Sequence, residues 1–199
     1  MTLPPVASER AESASRLLNL TLGLHRIQSA TPERSDSKPR LGDPAFDGVQ
    51  VQRQATWLRL ISITETFCAD RLLDAAEAEV APDGSPIRGL VWDKASTAAI
   101  SSWPAMKDAY NSWYGIKPNW AKVETLIEVR NAIAHGLGEL TRFQRRKRSS
   151  LVTKFNHAGV HLSGNRVVIS ENNLSDVRDG CSELIVLLDA EVAIRTARP

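Results

Sequence analysis

Cysteine is scarce in this sequence: Cys68 and Cys181 are the only two in 199 residues. Two thiols are too few for a disulfide scaffold or a cysteine zinc site, so neither is expected to hold the fold. Long apolar runs are missing as well. None approaches the roughly 18 residues that a helix needs to span a bilayer, which excludes an integral membrane protein of that kind. The N-terminus has Pro4, Pro5, Glu9 and Glu12 where a secretory signal needs a basic start and an apolar core. A reduced, cytoplasmic protein is the simplest expectation. Charge does not favour one sign: 25 basic against 23 acidic residues leave a net +2. A nucleic-acid role must therefore rest on where the charges sit. There is no Walker-type phosphate loop, no Gly-x-Ser-x-Gly elbow, no internal repeat and no low-complexity tract. No cofactor is expected.

What is present is ordinary globular material, with 42% hydrophobic and 24% charged residues, which excludes wholesale disorder. Its periodicity is mostly helical. Between Arg10 and Ser29, Leu17, Leu20, Leu24 and Ile27 recur three or four apart and predict one apolar face. Thr31 to Asp47, with Pro32, Pro39, Gly42 and Pro44, predicts a linker. Residues 1–46 are thus expected as an N-terminal helix plus linker, and 47–199 as the main domain.

Gln50 to Val80 carries the longest stripe, Trp57, Leu60, Ile61, Thr64, Phe67, Cys68 and Leu72, ended by Pro82, Gly84 and Pro86. Asp93 can cap a helix starting at Lys94, and Pro104 suits the first turn of another reaching Tyr114. Trp92, Trp103, Trp113, Tyr114 and Trp120 cluster in this stretch as core or interface. After Pro118 a further helix buries Val123, Leu126, Ile127, Ile133, Ala134 and Leu137. Thr141 to Ser150 is polar and basic. Leu151–Lys154, Val160–Leu162 and Arg166–Ile169 look like short strands separated by turn sequences. A last helix buries Leu174, Val177, Cys181, Leu184, Ile185, Leu188 and Val192. The expected fold is mainly α, an antiparallel helical bundle with a short β-hairpin before its last helix.

Chemistry concentrates in Glu128-Val129-Arg130-Asn131-Ala132-Ile133-Ala134-His135-Gly136, where three strongly polar residues interrupt an apolar helix. Asn131 and His135 are four apart and share a face. Arg130 and His135 are five apart, about 140° around a straight helix. They can converge through the length of arginine and fraying at Gly136, or by meeting counterparts from a second copy across a two-fold axis. A purely structural role is the alternative: Arg130 paired with Glu128 or another acid, and His135 as a cation at the helix C-terminus.

The segment resembles the HEPN superfamily of helical domains, whose motif is an arginine, four to six residues, then a histidine, commonly with a polar residue just after the arginine. Arg130-Asn131-Ala132-Ile133-Ala134-His135 has the four-residue spacing, with Asn131 in the polar place. The layout is similar over Gln50 to Val192. A long helix with Thr64-Glu65-Thr66-Phe67 mid-stripe precedes an aromatic-rich region and the motif helix. A hairpin around Gly159 to Ile169 and a closing helix follow. The likeness is strongest to the group linked with stress and phage-defence nucleases. It implies a metal-independent endoribonuclease acting as a homodimer, the two motifs facing one composite cleft. In those roles His135 is acid or base, Arg130 stabilises the transition state and Asn131 positions. A toxin or effector of a bacterial defence or stress system, with a cognate antitoxin or partner protein, is the biological setting implied. Toxins silenced by a nucleotidyltransferase-type antitoxin commonly carry a tyrosine two residues after the motif histidine; in this sequence that place is Leu137. The competing function is a non-catalytic module of the same fold for dimerisation, partner binding or RNA binding.

Just downstream, Arg142, Arg145, Arg146, Lys147 and Arg148 fall in seven residues without an acid. Such a run can track an RNA backbone or form a solvated basic loop; Phe143 is its one aromatic. His157 and His161 are four apart but too few for zinc. His25 has nothing around it in sequence to single it out. Glu65 reads as a boundary residue or as a buried partner for Arg130.

Overall fold

The computed structural model of the chain describes residues 7–30, 47–80 and 85–197. It is a mainly α, antiparallel helical bundle with a two-stranded antiparallel hairpin before the last helix, the expected class. The helices are α1 (Glu9–Ala30), α2 (Gly48–Val80), α3 (Pro86–Ala99), α4 (Trp103–Tyr114), α5 (Trp120–Gly136), α6 (Arg142–Arg146), α7 (Arg148–His157) and α8 (Glu171–Thr196). Strands β1 (His161–Ser163) and β2 (Arg166–Val168) pair with Leu162 opposite Val167. The predicted linker at 31–46 lies outside the described residues, as do Pro82 and Gly84.

Local chemistry explains the starts and stops. Pro86 opens α3, and the Ser102 hydroxyl accepts from the Ala105 N–H at the start of α4, which ends on Gly115 in the left-handed region. Thr141 and Gln144 form a reciprocal capping box at α6. Ser170 and Asn173 do the same for α8: the Asn173 N–H donates to the Ser170 hydroxyl, and the Ser170 N–H to Asn173 Oδ1.

The predicted stripes of α2 and α8 are buried in full. Elsewhere the sequence expectation needs correction. On α1, Leu17, Leu20, Leu24 and Ile27 are exposed, and the packed face is Ala11, Ala14, Leu18, Leu22 and His25. Both sets have helical spacing, and polar anchoring of His25 selects the second. Of the residues expected to be buried by α5, Leu137 lies just past its end and is 92% exposed and Ile127 and Ala134 are half-buried, while Val129 and Ala132 join Val123, Leu126 and Ile133 in the core. Asp93 caps nothing, because α3 runs through it from Pro86. Leu151–Lys154 is helical, not a strand, and the basic stretch 141–150 is α6 and the start of α7, not a loop. Leu151 and Phe155 are both buried at i, i+4, a helical period that a four-residue window ending at Lys154 cannot show.

The chain divides into two compact units. One comprises Met1–Arg16, Ser62–Trp120 and Cys181–Pro199. Its buried residues come from α2 (Phe67, Cys68, Leu72), α4 (Met106, Tyr110) and α8 (Leu184, Ile185, Leu188). The Tyr110 hydroxyl donates to the Cys68 carbonyl at 2.8 Å. Buried Asp189 accepts from the Ser8 N–H at 2.8 Å, the Ser8 hydroxyl at 2.7 Å and Arg71 Nε at 2.7 Å. Trp103 and Trp120 are core; Trp92, Trp113 and Tyr114 line an apolar cavity of about 510 Å³ with Val80, Ile87 and Val91.

The second unit comprises Leu17–Ile61 and Ala121–Gly180. It buries Leu18 and Leu22 of α1, Trp57 and Leu60 of α2, Val129 and Ala132 of α5, and Phe155, Val167 and Ile169. His25 is the buried histidine of this unit: Thr56 Oγ1 lies 3.0 Å from its Nδ1, and Glu171 Oε1 lies 3.1 Å from its Nε2. Arg53 Nε donates to the same Glu171 oxygen at 2.9 Å.

These clamps make the fold acid-sensitive. Burial raises the pKa of Asp189, but the hydrogen bonds from Ser8 and Arg71 outweigh it and leave the carboxyl below its ordinary value. Glu171 is likewise lowered: burial opposes, and the bonds from His25 and Arg53 prevail. A lowered folded pKa contributes stability that is present above the ordinary carboxylate range, about pH 4, and lost as pH falls through it. The melting temperature is therefore expected to drop between about pH 5 and pH 3. Asp189→Asn should lower it at neutral pH and shrink that drop. An undiminished acid drop in Asp189→Asn would contradict this assignment.

Candidate active site

Helix α5 carries the motif to its C-terminal end. His135 sits in the last turn, and the chain leaves the helix through Leu137 (φ 54°) and Gly138 (φ 86°). The Gly138 N–H donates back to the Ala132 and Ile133 carbonyls at 3.3 and 3.2 Å, which closes the helix. The exit is then tied to the hairpin: the Leu140 N–H donates to the Asn165 carbonyl and the Val167 N–H to the Gly138 carbonyl, both at 2.8 Å. A Cβ on Gly138 would lie 2.9 Å from the Gln54 side chain, which is itself bonded to the Val167 carbonyl. Glycine is favoured there by its φ, and any side chain would also have to push the Gln54 amide aside.

Within this one chain Arg130 and His135 meet. Arg130 Nη1 lies 3.1 Å from His135 Nε2 and donates at 3.1 Å to Asn131 Oδ1. The length of the arginine closes the angle that a straight helix leaves, so no second copy is needed to bring the pair together. A guanidinium has only donors. The contact therefore sets an arginine donor against Nε2 of the ring. Asn131 holds the arginine rather than the histidine. Arg130 is not paired with Glu128: the Glu128 side chain accepts from Gln144 Nε2 at 2.9 Å. Glu65 is half-buried.

Beside the motif lies a cavity of about 720 Å³ between α5, α6 and α7. Asn131, His135 and Glu128 form one wall; Arg142, Lys147 and Lys154 bring positive charge to the others. The basic run is thus divided by its two helices. Arg142 and Lys147 face the cavity, and the Arg146 guanidinium stands 5.6 Å from the centre of the Phe143 ring. Arg148 donates to the Gly164 carbonyl at 2.7 Å and anchors the hairpin turn. Arg145 is exposed.

Comparison with protein-family models, curated proteins and solved structures found no match. What the site can do follows from its own chemistry.

Other candidates stay apart from it. His157 lines a second cavity of about 970 Å³, which shares Lys154 with the first and has Asp176 and Asp179 on its wall, and His161 is exposed on β1. Among the described residues no group of three or more His, Cys, Asp or Glu is placed to hold a metal ion, and no helix is long and apolar enough to cross a membrane. Both cysteines are buried, and burial pushes the Cys68 thiol well up, away from the reactive thiolate. Sequence reasoning missed Gln144 and Lys154 in the cavity. The Thr141-x-x-Gln144 capping pattern was the available signal that a helix begins at this point.

Proposed function

We propose that this chain is a metal-independent endoribonuclease that cleaves RNA by attack of the 2′-hydroxyl on the adjacent phosphate. The observation that carries the proposal is the Arg130–His135 contact at 3.1 Å, with His135 itself lining a basic cavity. Such a reaction needs a base for the 2′-hydroxyl, an acid for the leaving 5′-oxygen and positive charge for the phosphoryl oxygens. A phosphate entering beside Arg130 offers the guanidinium two oxygens in place of one ring nitrogen. Arg130 turns to the phosphate, and Nε2 of His135 is released with its lone pair exposed. That nitrogen takes the proton of the 2′-hydroxyl, O2′ bonds to phosphorus, and the P–O5′ bond breaks as O5′ gains a proton. The products are a 2′,3′-cyclic phosphate and a 5′-hydroxyl.

One chain brings one histidine to the motif, while the reaction needs a base and an acid. This need supports the homodimer implied by the resemblance, in which a partner's copy of the motif serves as acid across a two-fold axis. Light scattering should show a dimer at micromolar concentration; a strict monomer with full activity would contradict that part. A defence or stress effector held by an antitoxin or partner protein is the setting we propose for such an activity. The test is incubation of the purified protein with total RNA in EDTA. Cleavage should proceed, and should be lost in His135→Ala.

A further inference from the structure

The cavity beside the motif contains one acid among its cations, and that acid is held in place. Gln144 is fixed by its capping box: its Oε1 accepts from the Thr141 N–H at 3.0 Å. Its amide group donates to the Glu128 carbonyl at 2.8 Å and to Glu128 Oε2 at 2.9 Å. The other carboxylate oxygen, Oε1, has no hydrogen bond among the described residues. Phe143, on the same cavity, is 74% exposed, with Arg146 beside its ring. A large apolar side chain in that state offers a stacking platform.

Resting on the ribonuclease reading, we propose that this cavity is a guanine subsite, taking an unpaired guanine next to the scissile phosphate. A carboxylate only accepts hydrogen bonds. Guanine alone among the RNA bases presents two adjacent donors, N1–H and the N2 amine, on its Watson–Crick edge. Adenine and cytosine place a ring-nitrogen lone pair beside their amine, and uracil flanks its one N–H with two carbonyls, so each sets an acceptor against the carboxylate. Glu128 reads the edge, Phe143 stacks the base, and Lys147 and Lys154 hold flanking phosphates. The cavity, about 720 Å³, lies within the usual range of small-ligand sites, roughly 300–1,000 Å³.

The test is equilibrium binding of fluorescein-labelled 2′-O-methyl hexanucleotides, UUGUUU against UUAUUU, which cannot be cleaved. The parent should bind the guanine form at least about tenfold tighter, the scale of one good bidentate base contact. Glu128→Gln should reduce that preference to within about twofold. Phe143→Ala, an exposed position that leaves the core intact, should weaken both oligonucleotides by about tenfold. Equal binding by the parent, or a preference that survives in Glu128→Gln, overturns the guanine assignment and leaves the ribonuclease reading standing. If neither oligonucleotide binds, both fall. A guanine preference in a protein that cleaves no RNA overturns the ribonuclease reading alone.

Discussion

Replacing His135 by alanine is expected to cut RNA cleavage at least about a hundredfold, the scale of a lost general acid or base, while RNA binding stays nearly intact. The separation follows from the site. Nε2 of His135 faces a donor of Arg130, so the fixed positive charge that attracts phosphate in the ground state sits on the arginine. Arg130→Ala should lose a similar factor in turnover, because the guanidinium meets charge that grows on the phosphoryl oxygens, but it should also weaken binding. Asn131→Ala should fall between the parent and these two, since Asn131 Oδ1 steadies Arg130 without reaching the histidine. Single-turnover cleavage at saturating RNA beside an equilibrium titration separates the effects. A His135→Ala protein that cleaves at the parental rate would remove the catalytic assignment.

The second large effect concerns the basic run, whose members stand in different surroundings. Neutralising Arg142, Arg145 and Lys147 together should flatten the dependence of log affinity on log salt by about two, at about 0.7 for each single-strand phosphate contact. At 0.1 M salt that corresponds to on the order of a hundredfold weaker binding, across all sequences. Cleavage at saturating RNA should change little. Arg148→Gln should act differently. Its guanidinium is committed to the Gly164 carbonyl, so the loss should appear as a lower melting temperature with the salt slope unchanged. Identical salt slopes for the triple variant and the parent would show that the run does not follow the backbone.

Particular residues show what the sequence carries about this fold. The stripes of α2 and α8 were legible because their apolar residues have one packing solution over many turns, and each is buried from end to end. On α1 two apolar faces compete, and the choice depends on Thr56 and Glu171, which lie far away in sequence and hold His25. Nothing local to His25 signals that. The same holds for Leu137: apolar content placed it in the core, but its left-handed backbone turns it out to solvent. At the site, the spacing of Arg130, Asn131 and His135 singled out the cluster but left two routes to convergence open, and the length of the arginine is the one the structure takes. The cavity next to it was not legible, because its walls come from three helices and one of them, α6, is only five residues long.

The most direct measurement is the identity of any ends made in RNA incubated with this protein in EDTA. Attack by the 2′-hydroxyl predicts a 2′,3′-cyclic phosphate on one fragment. The other fragment should carry a 5′-hydroxyl that accepts label from a polynucleotide kinase without prior phosphatase treatment. A substrate with 2′-deoxy sugars throughout should remain whole. Fragments bearing 5′-phosphates, cleavage of the deoxy substrate, or no cleavage of any RNA would contradict the roles assigned to Arg130 and His135.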